Sequence, residues 1–342
     1  MFIKNLRILA VTGTLAVGLT ACGGGGSDTS SSTSGTGSAS SASSSGATGS
    51  GEAGGTMAVI TVDPANPYWK AEVDTAQKVA KELGYETTVD AHQNDPDKQN
   101  QFIDAAISKK VRAIILDPAG ADESVGAVQK ATNAGIPVFL VNAEISEQGI
   151  AKTQIVSNNA QGATIGAQEW AKAVGGKGEY VELFGNPTDN NARVRSDGYA
   201  AVLSQYPDLK MVQKETANWD RQQGKAKMEI MLRAHPNIVG VVSGNDEMAL
   251  GAIAALKDAG KLDKVKVLGF DGNQDAVDAV KSGEMVATVL QPIVEGTTTA
   301  VKEADNFLKT GKTGESAEKK ALDCTLITKD NADKFNNFVP VG

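Results

Sequence analysis

The sequence has few of the side chains that catalyse reactions or hold metal ions. Its 342 residues include two histidines and two cysteines, and none of the Walker A, His-Glu-x-x-His or Gly-x-Ser-x-Gly motifs occurs. His92 follows a predicted strand, and His235 ends a predicted helix just before Pro236. A histidine at a helix end, such as His235, more often faces solvent, and we expect neither histidine to be catalytic. We therefore expect that the protein is not an enzyme and uses neither a cofactor nor a metal ion.

An excess of positive charge and a long apolar run are also missing. The formal net charge is −8 at pH 7, so no basic patch is available to meet phosphates, and we expect no nucleic-acid partner. The chain is 41% apolar and 22% charged, and it contains no apolar run of twenty residues. This composition predicts a globular protein long enough for two domains of ordinary size.

Residues 1–22 are typical of a secretory signal peptide. Lys4 and Arg7 precede a short apolar core, and the segment ends in Leu-Thr-Ala-Cys at Cys22. This ending resembles the bacterial lipobox, whose cysteine becomes the lipidated first residue of the mature protein. An ordinary signal peptide cleaved nearby is the alternative. We expect Cys22 to anchor the protein in the cell envelope, at the outer face of the cytoplasmic membrane or in the periplasm.

Residues 23–56 consist almost entirely of Gly, Ser, Thr and Ala. Such a segment buries too little apolar surface to offset its ordering entropy, so we expect a disordered, flexible tether. Cys324 is the only cysteine besides Cys22. An intramolecular disulfide is therefore not expected in the processed protein, and Cys324 is interpreted as a packed thiol.

From Met57 onwards, short apolar runs alternate with segments of helical spacing. The run "MAVITV" precedes a helical pattern that ends at Gly84, and the same alternation continues through "VATVLQ", which ends at Gln291. This pattern predicts an α/β fold with parallel sheets covered by helices on both faces, arranged as two similar Rossmann-like lobes. Ligands of such sheets bind beyond the carboxyl ends of the strands. The residues there are rich in Asp, Asn and Gln, which suit hydroxyl groups.

The stretch "DPANPYWKAE" places Tyr68 and Trp69 next to each other where a helix is predicted to begin, in a chain that is only 5% aromatic. Neighbouring residues of a helix point about 100° apart, so both rings cannot lie centrally on one buried face. Two interpretations stay open from this stretch alone. Either one ring is in the core and the other on the surface, or at least one ring is a platform for a ligand.

Six motifs in order carry a resemblance to bacterial periplasmic sugar-binding proteins, close to the ribose-binding type. They are "ANPYWK", "ARVRSDGY", "NWDRQQG", "GNDEMALGA", "GFDGNQDA" and "VATVLQ". The resemblance covers nearly all of 57–328, and it implies a type I periplasmic binding protein that closes on a small ligand. It places three hinge crossings near Ser157, Pro292 and Asp323. Lobe one would comprise 57–157 plus 292–322, and lobe two 158–291 plus 323–342.

The same resemblance assigns the residues of the binding site. An asparagine bonds a sugar hydroxyl and aromatic rings lie against the C–H faces of the sugar, while an arginine and further polar residues bind other hydroxyls. The corresponding ligand-binding residues of this chain are Asn66, Tyr68, Trp69, Asn191, Arg195, Trp219, Asn245, Asp271 and Gln291. Arg193 is interpreted as solvent-facing or structural, Phe270 as a packing residue and Asp246 as a helix cap.

The chain departs from the ribose-type pattern at one place. Members of that type have Asp-Arg after the fourth strand, whereas this chain has Asn142 and Ala143. With Asn142 as the tenth site residue, we expect a tetritol or pentitol, or another small sugar, rather than ribose. The leading hypothesis is a monomeric binding lipoprotein that delivers its ligand to an ABC importer permease. The alternative is a receptor subunit that presents its closed form to a membrane sensor.

Overall fold

The computed structural model describes residues 54–341 of the chain. The predicted signal peptide, Cys22 and nearly all of the predicted tether lie outside the described residues. The strands are β1 (Thr56–Thr61), β2 (Glu86–Ala91), β3 (Ala113–Leu116), β4 (Val138–Asn142), β5 (Thr153–Ser157), β6 (Lys177–Phe184), β7 (Asp208–Thr216), β8 (Gly240–Ser243), β9 (Lys266–Leu268), β10 (Ala287–Leu290), β11 (Lys319–Leu322), β12 (Thr325–Thr328), β13 (Phe335–Asn336) and β14 (Val339–Pro340). The helices are α1 (Pro67–Glu82), α2 (Pro96–Ser108), α3 (Val125–Asn133), α4 (Asn159–Ala173), α5 (Asn190–Leu203), α6 (Arg221–Ala234), α7 (Asp246–Asp258), α8 (Gln274–Ser282) and α9 (Ile293–Thr310).

Twelve of these strands form two six-stranded sheets with the same strand order. The first sheet runs β2-β1-β3-β4-β5-β11 and is parallel throughout. The second runs β7-β6-β8-β9-β10-β12, and only β12 is antiparallel to its neighbour. Every residue of β3, β4 and β8 is buried, as expected for parallel strands covered on both faces. The predicted α/β fold with two similar parallel sheets is confirmed.

The chain passes from one sheet to the other three times. It leaves the first sheet after β5, leaves the second after β10, and returns to the second between β11 and β12. Helix α9 packs on β4 and β5 of the first sheet, whereas α4 packs on β9 and β10 of the second. Residues that follow the carboxyl ends of strands in both sheets lie at the same cleft.

Several elements extend beyond the predicted alternation, which ends at Gln291. They are α9, the strands β11 and β12, and the short antiparallel pair β13–β14 at the carboxyl end. Among the helices of 54–341, none is both long and apolar enough to cross a bilayer.

The histidine after β2 lies in the interior. His92 is completely buried, with its Nε2 atom 2.8 Å from the backbone carbonyl oxygen of Asp117. The loop after β2 therefore contacts the loop after β3. Cys324 is buried and free, as predicted.

Candidate binding site

One narrow cavity lies between the carboxyl ends of the two sheets. The structure brings all ten predicted site residues to its wall and adds Asp189. The lining residues are Asn66, Tyr68, Trp69, Asn142, Asp189, Asn191, Arg195, Trp219, Asn245, Asp271 and Gln291.

The two neighbouring rings of α1 are both buried. Tyr68 is 3% exposed and Trp69 is 7% exposed, so the interpretation with one ring on the surface is wrong. The helix begins at Pro67, and the Tyr68 ring in its first turn packs edge-on against the Phe338 ring. The Tyr68 hydroxyl donates to Asn142 Oδ1 at 2.9 Å, and Trp69 Nε1 donates to Asp117 Oδ2 at 2.9 Å.

Trp219 lines the cavity from the second sheet's side. It is 4% exposed, and its backbone has the left-handed φ of +65° in the turn that precedes α6. The carboxyl of Asp189 lies near Trp219 Nε1, but within the described residues no protein atom accepts a well-formed hydrogen bond from this indole nitrogen. The cavity thus has an indole ring from each side and a buried donor that is left without a partner.

Arg195 of α5 is held by a network of acceptors and rings. Its Nε donates to Asn159 Oδ1 at 2.7 Å, and its Nη1 donates to the Gly244 carbonyl oxygen at 2.8 Å. The guanidinium carbon lies 4.1 Å from the centre of the Phe270 ring and 5.3 Å from that of Trp219. The arginine is therefore fixed before any ligand arrives, which lowers the entropy that binding costs. Phe270 is fully buried, in agreement with a packing role.

Asp271 and Gln291 complete the charged side of the cavity. Asp271 Oδ1 lies 3.4 Å from Arg195 Nη1 and accepts from Gln291 Nε2 at 2.7 Å. Burial raises the pKa of the Asp271 carboxyl well above its usual range, and the Arg195 guanidinium opposes that change. Gln291 Oε1 is buried without a donor among the described residues. An acceptor in that condition costs stability unless a ligand hydroxyl or water supplies the missing hydrogen bond.

Several site residues also cap the helices that begin at the cleft. Asn66 Oδ1 accepts from the Tyr68 backbone N–H, and Asn245 Oδ1 accepts from that of Met248. The expected cap at Asp246 is wrong, because Asn245 occupies the cap position of α7. The Asp246 carboxylate instead accepts from the backbone N–H groups before α8 and from a threonine hydroxyl. A polar residue after a strand can therefore cap a helix and face the ligand at the same time.

Three amides bridge the cleft, and the shortest of these bonds runs from Asn190 Nδ2 to Glu144 Oε1 at 2.9 Å. Asn191 Nδ2 of α5 donates to the backbone carbonyl oxygen of Asn142 at 3.3 Å, and Asn66 Nδ2 is 3.5 Å from that of Trp219. Each bond joins a residue beside one sheet to a residue beside the other. These contacts form in the arrangement in which the cleft is shut.

Comparison with known proteins decides the family. The sequence profile of the family described as "Periplasmic binding protein domain" matches 57–313. The chain belongs to this family. It is 49% identical to the D-apiose import binding protein of Actinobacillus succinogenes, over 83% of this chain and 91% of that one. It is 33% identical to the ribose import binding protein RbsB of Escherichia coli over 80% and 90%, and to the xylitol-binding protein of Mycolicibacterium smegmatis over 96% and 87%.

Solved structures agree with the fold of this periplasmic binding protein. A solute-binding protein of an ABC transporter from Bacillus halodurans, with bound myo-inositol, superposes with a TM-score of 0.76 at 29% identity, covering 83% of this chain and 98% of that chain. One from Actinobacillus succinogenes with bound D-allose superposes with a TM-score of 0.76 at 28% identity, covering 82% and 100%. The family consists of solute-binding proteins of transporters, located in the periplasm or envelope.

Three residues around the cavity of this periplasmic binding protein were not predicted as site residues. Asp189 caps α5 and lines the cavity, Asp117 accepts from both Trp69 and Asn142, and Asn159 holds Arg195. The available signal was position alone, since all three follow or nearly follow the carboxyl end of a strand. Asp117 bonds to Trp69 and Asn142, which lie 48 and 25 residues away in the sequence, and Asn159 bonds to Arg195, 36 residues away. No local pattern reveals bonds of this range.

Proposed function

We propose that this protein binds one small sugar or polyol in the cavity and delivers it to the permease of an ABC importer. The observation that carries this proposal is the wall of the cavity itself. It combines an indole from each side with amides, a carboxyl and a fixed guanidinium. Aromatic faces suit the C–H surfaces of such ligands, and the polar groups suit their hydroxyls. We further propose that the protein performs no catalysis and acts as a monomer.

D-apiose is the first candidate ligand. Relatives named for D-apiose import are 49% identical to this chain, whereas those named for ribose import and xylitol binding are 33% identical. A pentitol such as xylitol is the second candidate. Ribose is disfavoured because Asn142 and Ala143 replace the Asp-Arg pair expected for ribose-type members.

We propose that closure of two lobes accompanies binding. Lobe one would comprise 57–157 plus 292–322, and lobe two 158–291 plus 323–342, with the chain crossing between them after β5, β10 and β11. The amides of Asn66 and Asn191 would bond across the cleft only when it is shut, and a ligand held by Trp69 and Trp219 would add contacts to that state alone. Binding and closure are then one event.

Thermal unfolding with a panel of ligands tests the proposal. A ligand at 100 times its dissociation constant stabilises the folded state by about 2.7 kcal/mol, which should raise the Tm by roughly 5–10 °C for a protein of this size. We expect the order D-apiose, then xylitol and erythritol, then ribose, with calorimetry to measure the affinities. If amino acids or nucleosides raise the Tm and no sugar or polyol does, the proposed ligand class is wrong.

We also propose that Cys22 carries a lipid that holds the protein at the membrane. The lipobox-like Leu-Thr-Ala-Cys ending supports this assignment. Cys22→Ser should release the protein from the membrane fraction or leave its precursor unprocessed. Unchanged partitioning into detergent would contradict the anchor without affecting the proposed ligand site.

A further inference from the structure

Two buried carboxyl groups lie directly behind the cavity wall. Glu72 of α1 is completely buried, and Asp117, which follows β3, is 1% exposed. Trp69 lies one helical turn before Glu72 on α1 and donates to Asp117 Oδ2 at 2.9 Å, which places the two carboxyls close enough for each to affect the pKa of the other. Neither Glu72 oxygen has a well-formed bond from a standard donor among the described residues. Neither residue lines the cavity, so the pair lies outside the ligand site proper.

The partners of the pair decide which carboxyl is ionised. Asp117 Oδ2 accepts from Trp69 Nε1 at 2.9 Å and from Asn142 Nδ2 at 2.8 Å, and both bonds favour the charged form of Asp117. Two ionised carboxylates would face each other with acceptors only, at the cost of a buried like-charge contact. Burial raises the pKa of Asp117 to about 8, and the pKa of Glu72 rises well above its usual range because of burial and the nearby Asp117. Glu72 is the better site for the proton.

We propose that Glu72 and Asp117 share one proton, and that Glu72, by donating it to Asp117, is a positioning residue for the ligand site. This positioning role of Glu72 rests on the proposed function. The shared proton leaves Asp117 as a pure acceptor, so the Asn142 amide must present its Nδ2 to Asp117. Asn142 Oδ1 then faces Tyr68, whose hydroxyl donates to it at 2.9 Å.

This relay fixes what the ligand meets on the first sheet's side. The Tyr68 hydroxyl proton is already used, so the Tyr68 oxygen is left as an acceptor for a ligand hydroxyl. Asn142 keeps one N–H and one oxygen lone pair, and the Trp69 indole is held in place by its bond to Asp117. Glu72 therefore determines the hydrogen-bond polarity of the site without contacting the ligand.

The other titratable groups around Glu72 and Asp117 do not supply the proton that the pair shares. Asp189, on the opposite side of the cleft, adds negative charge and raises the pKa of Asp117, while Arg195 acts on Asp189 and Tyr68. His92 Nδ1 accepts from the Asn94 backbone N–H, so its Nε2 carries hydrogen and donates to the Asp117 carbonyl. Burial lowers the pKa of His92, and the ring is neutral at pH 7.

Counting protons on unfolding tests the pair without any ligand. A free glutamate has a pKa of about 4.3, so unfolding at pH 7 should release the proton that native Glu72 holds. Wild type should release about one proton more than Glu72→Gln, measured by calorimetric unfolding in buffers of different ionisation enthalpy. Glu82→Gln, which changes an exposed glutamate of the same helix, should release as many as wild type. Equal release from wild type and Glu72→Gln would overturn the proposal.

Affinity against pH tests the positioning role, with D-apiose and xylitol as probes. Wild-type affinity should fall by about tenfold as rising pH removes the shared proton. Glu72→Gln, whose amide can donate permanently, should stay within about twofold of its value at pH 7. Glu72→Met, which fills the space but cannot donate, should bind about tenfold more weakly at every pH. If Glu72→Gln does not fold, Glu72→Met takes its place in the comparison of protons released on unfolding.

The outcomes separate the two proposals. If wild type at pH 7 binds no sugar or polyol, the proposed function fails, whereas the proton count still decides whether the pair exists. If wild type binds but Glu72→Gln loses affinity with pH as wild type does, or Glu72→Met binds like wild type, the positioning role of Glu72 is wrong.

Discussion

Gly185 lies directly against the indole of Trp219. A Cβ atom built on Gly185 would come within 2.1 Å of the Trp219 ring, far inside the contact distance of carbon atoms. The glycine follows β6, and its missing side chain leaves the space in which the tryptophan ring lines the cavity. The position of the ring is thus set by a residue that does not itself line the cavity.

Gly185→Ala should therefore weaken ligand binding by displacing Trp219. Crowding of a packed site by one methyl group costs typically 1–3 kcal/mol, so we expect a loss of affinity of about tenfold, since 1.4 kcal/mol is a factor of ten. Titration calorimetry with the ligand found by thermal shift measures it. Gly126→Ala in α3 is the matched control, because its Cβ would meet nothing within 4 Å. Unchanged affinity of Gly185→Ala would contradict the placement of Trp219 in the site.

The two indoles of the cavity should each contribute to affinity. Trp69→Ala and Trp219→Ala should weaken binding by about 1–3 kcal/mol, because each removes an aromatic platform with its buried area. Ligand should change the intrinsic fluorescence of wild type. Trp170→Phe, at a fully buried tryptophan packed in the second sheet's core, should keep both the affinity and the fluorescence change. If both alanine variants bind like wild type, the ligand binds elsewhere.

Arg195→Ala should have the largest effect of the polar variants. Losing a hydrogen bond to a charged group costs about 1.5–3 kcal/mol, and the variant also strands the buried Asp271. We expect affinity to fall by at least about a hundredfold. Asn142→Ala should lower the affinity less, because it removes the neutral hydrogen bonds of this amide and its contact with Asp117 but no charged side chain. Exposed Arg193 supplies the control, and Arg193→Ala should bind as wild type does.

Phe338 should stabilise the carboxyl-terminal strand pair by packing on α1. Its ring lies 5.8 Å from the Tyr68 ring in an edge-on arrangement and is 5% exposed. Phe338→Ala should lower the free energy of unfolding by about 3 kcal/mol, as for other buried phenylalanines. Chemical denaturation measures this, with Val341→Ala as the exposed control. A loss below that of Val341→Ala would mean that the pair β13–β14 does not hold α1.

Cys324 should be unreactive in the folded protein. Burial raises the pKa of its thiol to about 12, so at pH 8 almost none is present as the reactive thiolate. In a Cys22→Ser background, a thiol-specific chromogenic reagent at pH 8 should label Cys324 only after denaturant is added. Labelling at the rate of a free thiol in native buffer would show that this side of α4 is open.

Local sequence predicted the strands and helices as far as Gln291, whereas the resemblance to periplasmic sugar-binding proteins assigned the ten site residues and left out Asp189. Apolar four- and five-residue runs such as those of β3 and β4 predict buried parallel strands, and the polar residues after them predict the ligand edge. The helical spacing of Ile293, Ala300 and Val301 carries a comparable pattern for α9, although the predicted alternation ends before it. Period and capping are properties of neighbouring residues, and so the amino-acid sequence determines them directly.

What the tertiary structure decided is which polar groups are paired and which are left for a ligand. The sequence presents Glu72 as one more charge on a helix, and His92 as a loop residue. Both are completely buried, His92 where the loops after β2 and β3 meet and Glu72 on the inner face of α1. The proton shared with Asp117 has the same origin. Burial removes water from groups that lie far apart in the chain, and only then do their charges, their donors and the Trp69 indole depend on one another.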